Sequence, residues 1–299
     1  MPVLLEEALF WLRPRPGGVY MDCTVGYAGL AARILEQSSP GGVLIGIDRD
    51  EQALNAAQVH LHGFDGVVHL RKGNFADLKA HLGFFGMSTV DGVVFDFGVS
   101  SPQLADAERG FSFLADGPLD MRMDQSTGQT AADLVQALSV GELADVIYEF
   151  GEERYARRIA RVIARERHRR RIETTGQLVA LIEQAVPAAY RHGRIHCATR
   201  TFQALRIAVN RELEAVEPAL RQAADVLVPG GRLCAISFHS LEDRIVKTTF
   251  RSLSQDPSAS FRILTKKPVT PSEEESRRNP RARSAKLRAG ERFSEERAP

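Results

Sequence analysis

Three apolar runs near the start of the chain each end in an acid. Val19 to Met21 runs into Asp22, Val43 to Ile47 into Asp48, and Gly92 to Phe95 into Asp96. Runs this apolar, without alternation, read as strands buried on both faces, and such burial belongs to parallel sheets covered by helices. Carboxylates are expensive to bury unpaired. Three of them at one edge of a sheet therefore point to a ligand and are hard to explain as packing.

Between the first strand and a helix predicted from Leu30 to Gln37 lies a turn containing Gly26 and Gly29. Strand, glycine turn and helix is how open parallel sheets build a nucleotide-type cofactor site at the carboxyl ends of their strands. Asp48 falls about 20 residues beyond that turn, where a doubly wound fold places an acid for ribose hydroxyls. The same residue is also placed to cap the helix beginning near Glu51. Phe75 follows the third strand, Val67 to Leu70, where an adenine could stack on it, and it fits equally well as a core aromatic. A dinucleotide fold needs the tight Gly-x-Gly-x-x-Gly pair, and Gly26-Tyr-Ala-Gly29 lacks it. S-adenosylmethionine (SAM) has no phosphate and accepts a looser turn. Asp22, Gly26, Gly29, Asp48, Phe75 and Asp96 form the pattern it requires.

The alternation of strand and helix then stops. From Leu104 to about Asn210 there are no clear strands, only helical stretches over 130–138, 141–150, 154–171 and 175–185. It resumes with a helix over 212–227, Pro229-Gly230-Gly231, and a strand from Leu233 to Phe238. Short β-like pieces near Phe261 and Ala285 suggest an antiparallel pair at the sheet edge. The expected organisation is a discontinuous α/β domain, 1–104 with 212–299, carrying a helical insertion over 105–211, as exposed loops allow. Net charge is +1, yet residues 1–150 carry 9 Lys/Arg against 20 Asp/Glu, and 151–299 carry 30 against 18. The basic half suits a polyanion. No apolar run is long enough to span a membrane, and no secretory signal is visible. Cys23, Cys197 and Cys234 offer neither a disulfide framework nor a zinc spacing, so no metal is expected and the simplest compartment is the cytoplasm. Oligomeric state is not legible.

Longer words follow in order along the chain: Asp96-Phe-Gly-Val-Ser-Ser-Pro-Gln103, Arg109-Gly-Phe-Ser-Phe, Gly117-Pro-Leu-Asp-Met-Arg-Met-Asp124, Ala198-Thr-Arg-Thr-Phe-Gln-Ala-Leu-Arg-Ile, Ser237-Phe-His-Ser-Leu-Glu-Asp-Arg and Asn279-Pro-Arg-Ala-Arg-Ser. With Val3-Leu-Leu-Glu-Glu and Gly151-Glu-Glu, they make nearly the whole chain resemble the bacterial 16S ribosomal RNA (cytosine-N4)-methyltransferase family, RsmH/MraW. The resemblance implies a Rossmann-like SAM-dependent methyltransferase sheet with an inserted all-helical substrate-recognition domain. The implied substrate is the exocyclic N4 of a cytosine in small-subunit ribosomal RNA. The family's Gly-Gly-His segment falls on Ala28, Gly29 and Leu30, its ribose acid on Asp48, its aromatic on Phe75, and later contacts on Asp96 and Gln103. Two positions depart from the family, Ala28 from glycine and Leu30 from histidine. A backbone contact survives Gly to Ala only where φ is not positive.

N4 of cytosine is a weak nucleophile, because its lone pair is delocalised into the ring. An acceptor must hold its N–H, and positioning matters more than a strong base. Ser-Ser-Pro-Gln is partly similar to the Ser-Pro-Pro-aromatic loop of amino-methyltransferases. Asp96, Ser100 and Ser101 are therefore the catalytic candidates, although the serines equally suit turn capping. His239 could touch the base or be a satisfied core histidine. Arg158, Arg161 and Arg165, on one predicted helical face with Arg154, form a phosphate-binding stripe, or a solvated face paired with Glu152, Glu153 and Glu166. A methyltransferase of another nucleic acid, and a SAM- or RNA-binding assembly factor without catalysis, are the alternatives.

Overall fold

A computed structural model describes residues 2–64, 66–193 and 195–294. The ends of the expected sheet domain, residue 1 and residues 295–299, lie outside the described residues. The apolar runs are strands: β1 (Val19–Asp22), β2 (Gly42–Asp48), β3 (Gly66–Lys72) and β4 (Val90–Asp96), followed by β5 (Leu227–Ser237), β6 (Phe261–Ile263) and β7 (Lys286–Arg292). They form one sheet in the order β3-β2-β1-β4-β5-β7-β6. The first five strands pair in parallel, and β7 runs antiparallel between β5 and β6.

Successive residues of the central strands enter opposite cores, which explains the unbroken apolar pattern. Tyr20 and Val94 pack with the helices Leu5–Leu12 and Gly29–Ser38, whereas Met21, Val93 and Phe95 pack with Leu78–Phe84, Glu212–Val226 and Ser240–Gln255. Each large side chain closed off this way contributes about 1.5–3 kcal/mol. β5 begins six residues before its expected start, because Pro229-Gly230-Gly231 lies inside the strand as an irregularity and does not precede it.

The chain divides into two compact units, one of Met1–Gly98 with Leu213–Pro299 and a second of Val99–Glu212. The first junction thus falls before Val99, ahead of the expected residue 105. Val99 and Leu104 pack against the helical core, so the loop after β4 goes with the second unit. That unit contains the helices Ser101–Ala105, Ala131–Ala137, Val140–Gly151, Ala156–Arg167, Thr175–Ala185, Ala188–Arg191 and Thr199–Asn210. Reciprocal side-chain caps start four of them, at Ser100/Gln103, Thr130/Asp133, Ser139/Glu142 and Thr174/Gln177, satisfying otherwise orphaned amides. The helix expected over 154–171 is shorter, Ala156–Arg167. Glu152 is left-handed, and the Glu153 carboxylate accepts from the Tyr155 amide at 2.8 Å, so the preceding turn is non-helical.

The irregular stretch over 109–124 is pinned by polar contacts. Arg109 is buried and donates to the carbonyls of Arg122 and Met123 at 3.1 and 3.0 Å. Asn210 donates to the Met121 carbonyl and accepts from the Met123 amide. Among the described residues no helix is long and apolar enough to cross a membrane.

Candidate active site

The strand order reverses between β1 and β4, and ligands of open α/β sheets bind at that switch point, beyond the carboxyl ends of the strands. Asp22 and Asp96 end the two strands that flank it. The Thr24 hydroxyl accepts from the Asp96 amide at 2.7 Å and so ties the two strand ends together. Asp22 is 2% exposed, and its Oδ1 accepts from the Thr24 amide at 3.1 Å. Burial pushes its carboxyl up to about 7, with Asp48 nearby adding to the rise. Asp96 goes further, to about 8, again mainly through burial and then through the charges of Asp22 and Glu242. Its Oδ1 is buried and has no hydrogen-bond partner among the described residues.

Asp48 does not cap the following helix. Asp50 does so, accepting from the Gln52 amide at 3.0 Å. Asp48 instead braces the glycine turn, its Oδ2 accepting from the Gly26 amide at 2.8 Å and its Oδ1 from the Asp50 amide at 2.9 Å. Burial raises it to about 6, against the pull of these amides. The Arg49 amide is a third donor to this carboxylate, and with about four acceptor sites it keeps room for a ribose hydroxyl. Gly26 has φ 49°, and the backbone conformation itself demands glycine there, since an added Cβ would meet little. At Gly29 an added Cβ would lie 2.7 Å from Pro2 Cγ, so close approach of the N-terminal segment fixes that residue. Phe75 packs edge-on to Phe95 and tilted against Phe97, at 5.8 and 5.7 Å between ring centres, and stays partly exposed beside the strand ends.

Two positions behave otherwise than expected. Ala28 has φ 63°, so it holds a left-handed conformation without glycine's freedom. Leu30 is 6% exposed and packs in the core with Val25, Ala31 and Ile34. Its side chain is part of the hydrophobic core. His239 is also committed. It caps the helix Ser240–Gln255, with Nδ1 accepting from the Glu242 amide at 3.4 Å and Nε2 lying 3.1 Å from Glu242 Oε1. Its Nδ1 is spent on the cap, while its buried Nε2 makes no hydrogen bond among the described residues, so the cap alone does not make it a satisfied core histidine. Glu242 escaped the sequence reading. It is 1% exposed, accepts from the Phe238 amide at 2.8 Å, and adds a fourth acid to the group. The acid three residues after a helix cap was its signal.

In the second unit, Ser100 and Gln103 form a reciprocal capping box. The Ser100 hydroxyl accepts from the Gln103 amide, and Gln103 Oε1 accepts from the Ser100 amide at 2.8 Å. Ser100 is thereby a turn-capping residue, as the alternative reading held. Ser101 is exposed, and among the described residues its hydroxyl makes no hydrogen bond. Ile159, Ala160, Ile163 and Ala164 turn one face of the helix Ala156–Arg167 into the core, leaving Arg158, Arg161 and Arg165 exposed on the other. Glu166 pairs with Arg170, and Glu153 accepts from the Tyr190 hydroxyl. Among the described residues Arg161 and Arg165 make no ion pair. Arg154 stacks over Tyr155 and Tyr190, its guanidinium 4.8 and 4.7 Å from the ring centres.

Glu183 and the adjacent pair His196 and Cys197 bring ligand-type atoms within 4.8 Å of one another. Yet His196 Nδ1 accepts from the Ala198 amide at 3.2 Å, which puts the neutral ring's proton on Nε2, the nitrogen 3.7 Å from Glu183. One ring nitrogen of His196 is thus already spent, while the 3.7 Å between Nε2 and Glu183 is too long for a hydrogen bond.

A diol acceptor, a half-exposed aromatic and buried acids with an unpartnered oxygen fit a cofactor with an adenosine at one end and a cationic amino acid at the other. A sheet of this order, with its antiparallel seventh strand and this edge, defines a SAM-dependent methyltransferase. The model of the MraW methylase family matches residues 1–293. The Ribosomal RNA small subunit methyltransferase H of Pelobacter propionicus is 52% identical over 307 residues, 98% of each chain. The protein of the same name from Brevibacillus brevis is 47% identical over 304 residues, 97% of each. Among solved structures, a rRNA methylase from Streptococcus thermophilus aligns over 98% of each chain at 10% identity with a TM-score of 0.46, a loose likeness. The chain belongs to the MraW methylase family.

Proposed function

We propose that this enzyme methylates the exocyclic N4 of a cytosine in the RNA of the small ribosomal subunit, in the cytoplasm where such subunits are made. The row of desolvated acids Asp22, Asp48 and Asp96 at the switch point, with Asp96 Oδ1 unpartnered, carries the reading. The relatives' names support the choice of RNA. When bound, SAM supplies an electrophilic methyl group on a positively charged sulfur.

The rest is the work of the chain. Asp48 accepts from the ribose hydroxyls, Phe75 stacks on the adenine, and Gly26 to Gly29 present backbone to the cofactor. Asp22 and Asp96 offset positive charge, and a neighbouring cation returns raised carboxyls to their ionised form. Ionised Asp96 then holds an N4–H, turning the nitrogen's lone pair outward and taking up its developing positive charge. Ser101, five residues along the chain, supplies a second contact to the base. Arg158, Arg161 and Arg165 neutralise RNA phosphates.

A ring-carbon product would need a cysteine thiolate. Burial holds Cys23 well above the usual thiol range and Cys234 at about 12, and Cys197 is also raised by burial. Transfer of labelled methyl from SAM to small ribosomal subunits, with naked RNA and DNA as controls, tests the reading. Label on subunits or their RNA is the expected result, and label on DNA alone would reject it.

A further inference from the structure

The other end of the same sheet carries a concavity of opposite charge. From Val90 to Gly92, β4 advances two residues while its partner β5 advances five, from Leu227 to Arg232. The surplus loops out as a bulge, a device that re-aims side chains at sheet ends. Beside it opens a cavity of about 530 Å³ lined by Arg13, Arg15, Arg232 and Arg262, with Asp91 and Glu291. That volume lies within the usual range of small-ligand sites. Asp91 and Asp96 are opposite ends of β4, so the cavity is roughly 17 Å along the strand from the cofactor edge.

The two acids are fully engaged. Asp91 pairs with Arg15 and accepts from the Val19 amide, and Glu291 takes Arg232 at 3.2 Å and Arg262 at 2.6 Å. They fix the guanidiniums in place but leave two positive charges in excess. Arg232 also donates to the Trp11 carbonyl and forms the floor. Arg15 and Arg262 are 67% and 58% exposed. Arg13, also exposed, makes no ion pair among the described residues. A guanidinium has five N–H donors in a fork that suits phosphate, and most of those on the exposed arginines are unspent.

Arg13 adds a separate observation. It follows the helix Leu5–Leu12 with φ 58° and ψ 58°, the left-handed position where helices normally end in glycine. Non-glycine residues in that conformation are strained, and such strain persists where a side chain is needed. The chain thus keeps a cation on the rim of the cavity at a position where glycine would relax the backbone.

We propose that this cavity binds a phosphate group, independently of the cofactor edge and whatever the methyl acceptor. The phosphate would come either from an RNA backbone or from a small phosphorylated molecule. The test is calorimetric titration of the full chain with inorganic pyrophosphate, comparing wild type, Arg262→Gln and the double variant Arg13→Gly/Arg262→Gln. Pyrophosphate affinity should fall at least tenfold in the double variant, with SAM affinity unchanged as proof of folding. Arg13→Gly alone should leave the melting temperature unchanged or raise it. Displacement of pyrophosphate by an RNA oligonucleotide would identify the backbone as the source, and failure of RNA to compete would identify a small molecule. Either supports the site. Pyrophosphate that fails to bind wild type, or binds all three proteins equally, would overturn it.

Discussion

The strand ends of the sheet unit and the arginine face of the helical unit handle charge in opposite ways. Asp22 is buried, Asp48 and Asp96 are half-buried, and desolvation raises all three. Arg158, Arg161 and Arg165 stand in solvent above a fully apolar helix face. A buried carboxylate is costly until something compensates it, so each acid contributes through a specific short contact. A solvated arginine costs little and gives little alone, and its effect is collective and sensitive to salt. Point substitutions should therefore be severe in the first region and graded in the second.

The largest effect is expected at Asp96. Asp96→Asn keeps the shape and a neutral acceptor but removes the negative charge and the basic oxygen, and methyl transfer should slow by about 10²–10⁴-fold, the usual scale for general acid–base residues. Single-turnover rates would show it. The same variant has a pH signature. Unfolded carboxyls titrate near about 4. The folded protein without cofactor therefore holds extra protons up to about 6 at Asp48, 7 at Asp22 and 8 at Asp96. The associated stability is fully present at low pH and is lost as pH rises through those values. Melting temperatures across pH 5 to 9 should fall, and Asp96→Asn should flatten the upper part of that fall.

Asp48→Ala should weaken SAM binding by about 1.5–3 kcal/mol, the scale of hydrogen bonds to a charged group. Calorimetry showing unchanged affinity would remove Asp48 from the ribose. Reversing charge at Arg158, Arg161 and Arg165 together should weaken RNA binding and lower the salt slope by about two to three. SAM affinity should not move, and a parallel loss of both would break the distinction between the two regions. The smallest effect is at Ala28. Ala28→Gly removes a left-handed alanine and should stabilise the fold by about 1 kcal/mol, read from denaturant midpoints.

Much of the sheet was legible because its signals are local. An apolar run ending in an acid marks both a strand and its exit, and each of the four early strands lies where its run does. The clustering of Asp22, Asp48, Phe75 and Asp96 was legible for the same reason, since all sit at or just beyond strand exits. What escaped depends on contacts between distant residues or on a dihedral. No pattern shows that Leu30 faces the core, that Ala28 has positive φ, or that Glu242 lies close enough to Asp96 to raise it. The reciprocal cap between Ser100 and Gln103 is likewise seen only in the fold. The basic helix was readable as a stripe, but only the fold shows that its neighbouring glutamates are engaged elsewhere.

The central claim is that this site methylates the exocyclic nitrogen of cytosine. The direct test is mass spectrometry of nucleosides from small-subunit RNA after incubation with the protein and SAM. N4-methylcytidine that disappears with Asp96→Asn is the predicted result. A methyl group on a ring carbon, or N4-methylcytidine formed equally well by Asp96→Asn, would contradict the account.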